Sequence, residues 1–291
     1  MLFYAKVLET TLLFTIFVLS VYLLSGLTGL FSLGHGAFIT IGAYTAGLAT
    51  TRFGLPIWIA MVLAIVVGMA AGLVIGIPTL KLRRDYFLLV TFGFGEMVRA
   101  LLLWTAQLTG GAMGLAGIPY AAELPLIGVS TVVVLIFVAN LKKTAFGRNC
   151  IAIRDDELAA QAMGVAVYAH KIRVFLLSAA IASYGGALLA FNMSFIEPNL
   201  FNWLESAKLI VIIFVGGINS VTGALITSIL YYSFGEVFRF ANVWRDVILA
   251  VLVILVIIFR TQGLFGSWEL SPQWIKARFR RRAARAAGKG A

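Results

Sequence analysis

The chain has 291 residues, of which 61% are hydrophobic and 12% charged, and a formal net charge of +11. A soluble domain carries about 25% charged residues, so this composition excludes a water-soluble enzyme or binding module. The single Cys150 excludes an internal disulfide and a cysteine metal site, and positive charge gathered beside apolar segments and in a tail fits cytoplasmic anchoring, not nucleic-acid binding.

In chain order, apolar segments fall at 8–28, 31–50, 55–79, 86–106, 122–141, 171–196, 206–238 and 241–260. Leu12–Thr51 holds no Lys, Arg, Asp or Glu over 40 positions, and Leu209–Gly235 holds none over 27. A spanning helix takes about 20 apolar residues. The run after Lys6 is too long for the core of a removable export signal and reads as a first retained helix. The expected fold is all-α: a polytopic transmembrane bundle of about eight segments with glycine-interrupted or re-entrant helices. The transmembrane domain is expected over 1–265 and a basic cytoplasmic tail over 266–291.

Two connections are strongly charged: Lys81, Arg83, Arg84 and Asp85, and the stretch from Lys142 to Arg173 with six basic residues. The tail adds seven more between Lys276 and Lys289. The positive-inside rule places all three in the cytoplasm, with the tail able to touch anionic membrane lipid. Residues 142–170 and the tail then share a side, so segment 206–238 must return to the side it entered. Gly216, Gly217 and Asn219 interrupt it. A matching interruption, Gly29 to Ala37, overlaps the start of segment 31–50. Shifted by 187, Gly29, Gly36, Ala37, Ile39, Thr40 and Tyr44 match Gly216, Gly223, Ala224, Ile226, Thr227 and Tyr231. Duplication and chance both account for so short a match. Paired breaks of this kind mark the ligand path in many transporters. Small residues four apart, at Gly68, Gly72 and Gly76 and at Ala182, Gly186 and Ala190, predict close helix packing.

Polar groups within apolar runs are costly and so informative. Ser32 and His35 lie in the first break, where they either line a path or cap freed backbone. Glu96 and Arg99, three apart on one helix, are expected to pair, as a structural brace or a gate; a proton-relay role for Glu96 is the sharper alternative. Asn192, Asn219 and Ser220 are further path candidates, with helix-to-helix hydrogen bonding as the other reading. From Asp155 the sequence looks like a helix start, with Leu158, Ala159, Ala162 and Met163 at helical spacing and Gly164 as a stop. That short helix is either an interfacial element or a docking point for a soluble partner. No GxxxxGK[ST] stretch is present, so the chain supplies no ATPase site of that kind.

Gly29-Leu-Phe-Ser-Leu-Gly-His-Gly-Ala-Phe38 and Ile41-Gly-Ala-Tyr44 resemble the signature of the branched-chain amino-acid ABC permeases. Leu82 to Glu96, and Leu108-Thr-Gly-Gly-Ala-Met-Gly-Leu-Ala-Gly-Ile-Pro119, resemble the LivM side of that family. Phe146 to Gly164 is similar to the family's cytoplasmic loop. Arg84 stands where the family more often has Gly. The likeness covers roughly 25–265. It implies a bacterial inner-membrane permease subunit, itself not an enzyme and binding no cofactor. The implied partners are a LivH-like permease, two ATPase subunits that hold ATP and magnesium, and a periplasmic binding protein. It also makes 154–164 the coupling helix, with Arg154, Asp155, Glu157, Ala160 and Gly164 as contacts. A urea or short-amide importer shares this plan, and a stand-alone secondary transporter or channel using Glu96 or His35 is the competing class.

Overall fold

The computed structural model describes residues 2–200, 202–237, 244–260, 263–266, 268 and 269; the basic tail expected over 266–291 lies otherwise outside the described residues. The long helices are α1 (Leu2–Thr28), α2 (His35–Thr51), α3 (Ile57–Thr79), α4 (Arg84–Trp104), α6 (Leu124–Lys143), α9 (Val167–Met193), α10 (Trp203–Gly216), α11 (Val221–Val237) and α12 (Trp244–Phe259). Three short helices, α5 (Ala106–Thr109), α7 (Ala145–Asp155) and α8 (Glu157–Ala162), lie in connections. A two-residue antiparallel pair joins β1 (Leu115–Ala116) to β2 (Phe195–Ile196).

Among the described residues, five helices (α1 from Tyr4, α3, α4, α6 and α9) are long and apolar enough to cross a membrane. α1 and α9 form the buried centre, whereas α3, α4 and α6 leave most of their surface outward. The glycine spacing on α3 explains how that centre closes. A Cβ on Gly68 would lie 1.9 Å from Ser183 Oγ, one on Gly72 3.2 Å from Ala179 Cβ, and one on Gly76 2.9 Å from Phe175 Cδ1. Three glycines one turn apart thus admit three residues of α9 one turn apart. The second face of α9 meets α2 as closely, with a Cβ on Gly186 falling 2.0 Å from the Ile39 carbonyl oxygen. In lipid, such backbone approach replaces the hydrophobic effect as the packing force.

The Lys81–Asp85 turn and the 142–166 connection lie at one end of the bundle, hereafter the basic face. α1 ends there: Arg154 Nη1 donates to the Gly26 carbonyl at 2.6 Å. The chain then turns back inward. His35 begins α2 beside Ser20, with Nε2 and Oγ hydrogen-bonded at 2.8 Å. Ser20 lies eight residues, about 12 Å, inside the end of α1, so α2 starts within the bundle. At α2's far end, Arg52 donates to the Gln107 carbonyl at 3.2 Å.

The segment expected at 206–238 is two helices, α10 and α11, with a turn at 217–220 on the basic face. Gly216 and Gly223 touch across the hairpin, where a Cβ on Gly223 would lie 2.3 Å from the Gly216 carbonyl oxygen. α10, at 14 residues, spans only about 21 Å of a hydrocarbon core about 30 Å thick. It is preceded by the irregular residues that follow β2. Shifted by 187, the end of α1 at Thr28 falls on 215 and the start of α2 at His35 on 222, each within one residue of the end of α10 and the start of α11. The two breaks are structural counterparts.

Gly68→Leu should therefore lower the melting temperature or the monodisperse yield, at a cost of about 1–3 kcal/mol or more from overpacking. Gly128→Leu, where a Cβ meets nothing within 4 Å, should leave both unchanged.

Candidate functional site

Polar groups gather at the two breaks, on one outward face within the bundle's span, on the basic face, and around Asn192 at the opposite end.

At the first break, neither expected capping side chain caps α2. Gly34 precedes the helix with no side-chain bond. The Gly36 N–H is instead met by Ser206 Oγ of α10 at 2.9 Å. Ser32 and His35 are fully buried, and Ser32 Oγ and His35 Nδ1 have no hydrogen-bond partner. The glycine at 34 is required because a Cβ there would lie 1.9 Å from the Thr91 carbonyl oxygen of α4.

Asn192 is placed far from both breaks. Its Nδ2 donates to Glu9 Oε2 (2.9 Å) and to the Ala122 carbonyl (2.8 Å), and Lys6 Nζ donates to its Oδ1 (3.1 Å). It ties α1, α9 and the connection leading into α6 together at the end opposite the basic face. Asn219 and Ser220 sit in the α10–α11 turn. Ser220 Oγ accepts from the Gly223 N–H at 2.9 Å, capping α11, and itself donates to the Trp268 carbonyl. The Asn219 carbonyl accepts from Lys142 Nζ, which also bonds Tyr22 (3.3 Å) and Glu269.

Glu96 and Arg99 do pair, at 3.1 Å, and Arg99 Nε donates to Asn199 Oδ1 at 2.8 Å. Both side chains are over a third exposed. A second pair escaped sequence reading: Lys208 Nζ to Glu205 Oε1 at 2.7 Å, on α10, with both side chains about a third exposed. Phe92 and Trp203 meet edge-on at 6.1 Å between these elements, so α4, Asn199 and α10 form one charged face. The available signal was the i, i+3 acid–base spacing at the edge of an uncharged run. Charged groups in a membrane span face protein or water rather than lipid, so this face needs a cover that the described residues do not provide.

On the basic face, the helix expected from Asp155 is divided. α7 runs to Asp155 and α8 begins after Asp156, whose Oδ1 accepts from the Leu158 and Ala159 N–H groups at 2.9 and 3.0 Å. The reason is local: a carboxylate takes both orphan amides at once and so resets the helix. Gly164 ends the element at φ +83°. Arg154 points inward, to the Gly26 carbonyl, and Arg84 Nη2 donates to the Arg154 carbonyl at 2.9 Å. Asp155 pairs with Arg154 at 3.1 Å, and Glu157 with the buried Lys171 at 2.7 Å. Ala160 is buried, whereas Leu158 and Met163 are 77% and 85% exposed. The apolar side of α8 thus faces outward, away from the bundle. Cys150 of α7 is buried, and burial pushes its thiol up to about 12, which keeps it protonated and unreactive near neutral pH. Among the described residues, no group of three His, Cys, Asp or Glu side chains is placed to hold a metal ion.

The model of the family described as branched-chain amino acid transport system / permease component matches residues 3–257. The high-affinity branched-chain amino acid transport system permease proteins LivM of Salmonella typhimurium and Escherichia coli are each 34% identical over 288 residues, covering 87% of this chain and 68% of theirs. The autoinducer 2 import system permease protein LsrC of an Enterobacter species is 27% identical over 243 residues, covering 77% of this chain and 68% of its own. No solved structure matches the chain.

With the buried Cys150 silent, introduced cysteines report on the charged face. Leu204→Cys, on the exposed side of α10 shared with Lys208, should react with a membrane-impermeant thiol reagent. Val133→Cys, on the outward side of α6, should not, and the parent chain should react only after denaturation. Equal silence at both positions would show that water does not reach the α4–α10 face.

Proposed function

The chain belongs to the family of branched-chain amino-acid transport system permease components, and from that premise we propose that it is one of two permeases in an ATP-driven importer. The partners in this reading are a LivH-like permease, two ATPase subunits that bind ATP and magnesium, and a periplasmic binding protein. The site of action is the bacterial inner membrane, with the basic face in the cytoplasm. The cargo is a branched-chain or related amino acid. A relative at 27% identity is named for autoinducer 2 import, so likeness alone leaves the cargo open. The charged face supports an amino acid: Glu96 with Arg99 and Glu205 with Lys208 offer both signs of charge to a zwitterion crossing between two permeases. This chain then performs no chemistry. It supplies half of the path and the linkage that opens it.

The observation that carries the reading is the orientation of α8. A six-residue helix that shows Leu158 and Met163 to water, while anchored through Glu157–Lys171 and through Arg154 of α7, suits docking into a soluble subunit. Glu157 and Asp155 hold the helix in place, Ala160 packs it against the bundle, Gly164 ends it, and Leu158 and Met163 make the contact. ATP-driven closure of the ATPases would displace α8, and α7 would carry that displacement to the breaks.

In the double variant Leu158→Asp, Met163→Asp, the tagged chain should still insert and co-purify with its permease partner. It should lose ATPase subunits, and uptake should fall at least about tenfold, as expected when contact hot spots are removed. Undiminished ATPase recovery would remove α8 as the docking element.

A further inference from the structure

A cavity of about 580 Å³ opens on the basic face between the α3–α4 turn, α8 and the first turn of α9. That volume lies within the range of about 300–1,000 Å³ usual for small-ligand sites. Its charged lining is Lys81, Glu157 and Lys171. Glu157 and Lys171 neutralise each other at 2.7 Å. Lys81 has no carboxylate partner among the described residues; its ammonium lies 5.6 Å from the Tyr168 ring centroid. The cavity therefore carries one uncompensated positive charge, next to a helix start whose Ala166 cap supplies no side-chain acceptor. Both features favour an anion.

What leads to the cavity decides which anion. The glycine side of α3 is packed on α9, and its other side presents Val62, Val66, Val74 and Ile77, each about half exposed or more. These residues recur at helical spacing and form an apolar stripe down the outside of the bundle. The stripe ends at Ile77, whose carbonyl accepts from Tyr168 Oη at 2.8 Å, one turn before Leu80 and Lys81 at the cavity wall. Tyr168 thus stands at the end of the apolar α3, and tyrosines are enriched where spanning helices meet the boundary of hydrocarbon and water. An apolar stripe leading to a cationic cavity at that level matches a molecule with an acyl chain and an anionic head.

We propose that this cavity holds the phosphate headgroup of an anionic phospholipid of the cytoplasmic leaflet, with an acyl chain lying along α3. Lys81 meets the phosphate, and the lipid rests against Glu157, the first residue of α8, bracing the docking helix from the membrane side. The inference takes the orientation of the basic face from the reading above, but its test does not require the ATPases.

The full-length chain would be purified with whatever subunits accompany it, reconstituted in nanodiscs of phosphatidylcholine with a minority of phosphatidylglycerol, and examined for retained lipid by native mass spectrometry. Phosphatidylglycerol should be retained in preference to phosphatidylcholine. Lys81→Gln should lower that retention about fivefold, in line with the usual contribution of one basic residue at a membrane surface. Arg83→Gln, whose side chain is outside the cavity lining, should not change it. Equal retention of both lipids, or unchanged retention in Lys81→Gln, would overturn the proposal. Displacement of the lipid by inorganic phosphate would assign the cavity to a free anion, and loss of lipid when the ATPases bind would assign it to their surface; either result overturns a lipid site.

Discussion

Two basic side chains of the basic face hold the two places where the helices are broken. Arg154, at the end of α7, donates to the Gly26 carbonyl beside the first break. Lys142, at the end of α6, donates to the Asn219 carbonyl within the second. Freed carbonyls at membrane depth must find donors, and a long cationic side chain can reach them while its charge stays near the aqueous boundary. The consequence is mechanical. α7 joins these two residues, so it forms a bar between the breaks, and α8 is mounted on its end. Arg84 closes the first clamp through the Arg154 carbonyl, which gives a structural role to a residue that departs from the usual family pattern.

The outer surface divides by the same logic of solvation. α3 and α6 show apolar side chains outward, as lipid-facing helices do. The face made by α4, Asn199 and α10 shows two acid–base pairs. A charged face within a spanning bundle calls for a second protein or for water, and the proposed two-permease path would supply both. The short α10 contributes Ser206 to cap α2 and Glu205 to the charged face, so the inner end of the first break and the charged face are built by one turn of helix. A shift of α10 would be felt at both.

Much of this was legible in the sequence because membrane folds write their constraints in runs and gaps. The glycine spacing on α3 had one physical use, and it packs on α9 as such spacing demands. The return of segment 206–238 followed from charge parity, and the place of its break from Gly216, Gly217 and Asn219. The Glu96–Arg99 pair followed from i, i+3 geometry. Individual roles were less legible, because they depend on what lies across from a residue. Asn192 reads as a path residue or a helix-to-helix bond from sequence, and its bonds to Glu9, Lys6 and Ala122 could not be read there. Asn219 and Ser220 read as polar groups in mid-segment until the segment folds into a hairpin and carries them to the basic face. Arg154 reads as a surface contact until its guanidinium is seen on Gly26. α7 has no counterpart among the expected elements, since Thr144 to Asp155 shows no long apolar period, and the single residue Asp156 divides what looks like one helix start into two elements.

The most direct test of this linkage is to measure ATP hydrolysis and amino-acid uptake side by side in vesicles containing the full assembly, with Arg154→Met in this chain. Losing the guanidinium disconnects α7 from the first break while leaving the exposed side of α8 intact. The account predicts that hydrolysis continues and uptake falls at least about tenfold, the effect of losing roughly 1.4 kcal/mol of coupling. Hydrolysis and uptake that remain in their original proportion, whether both high or both low, would contradict it.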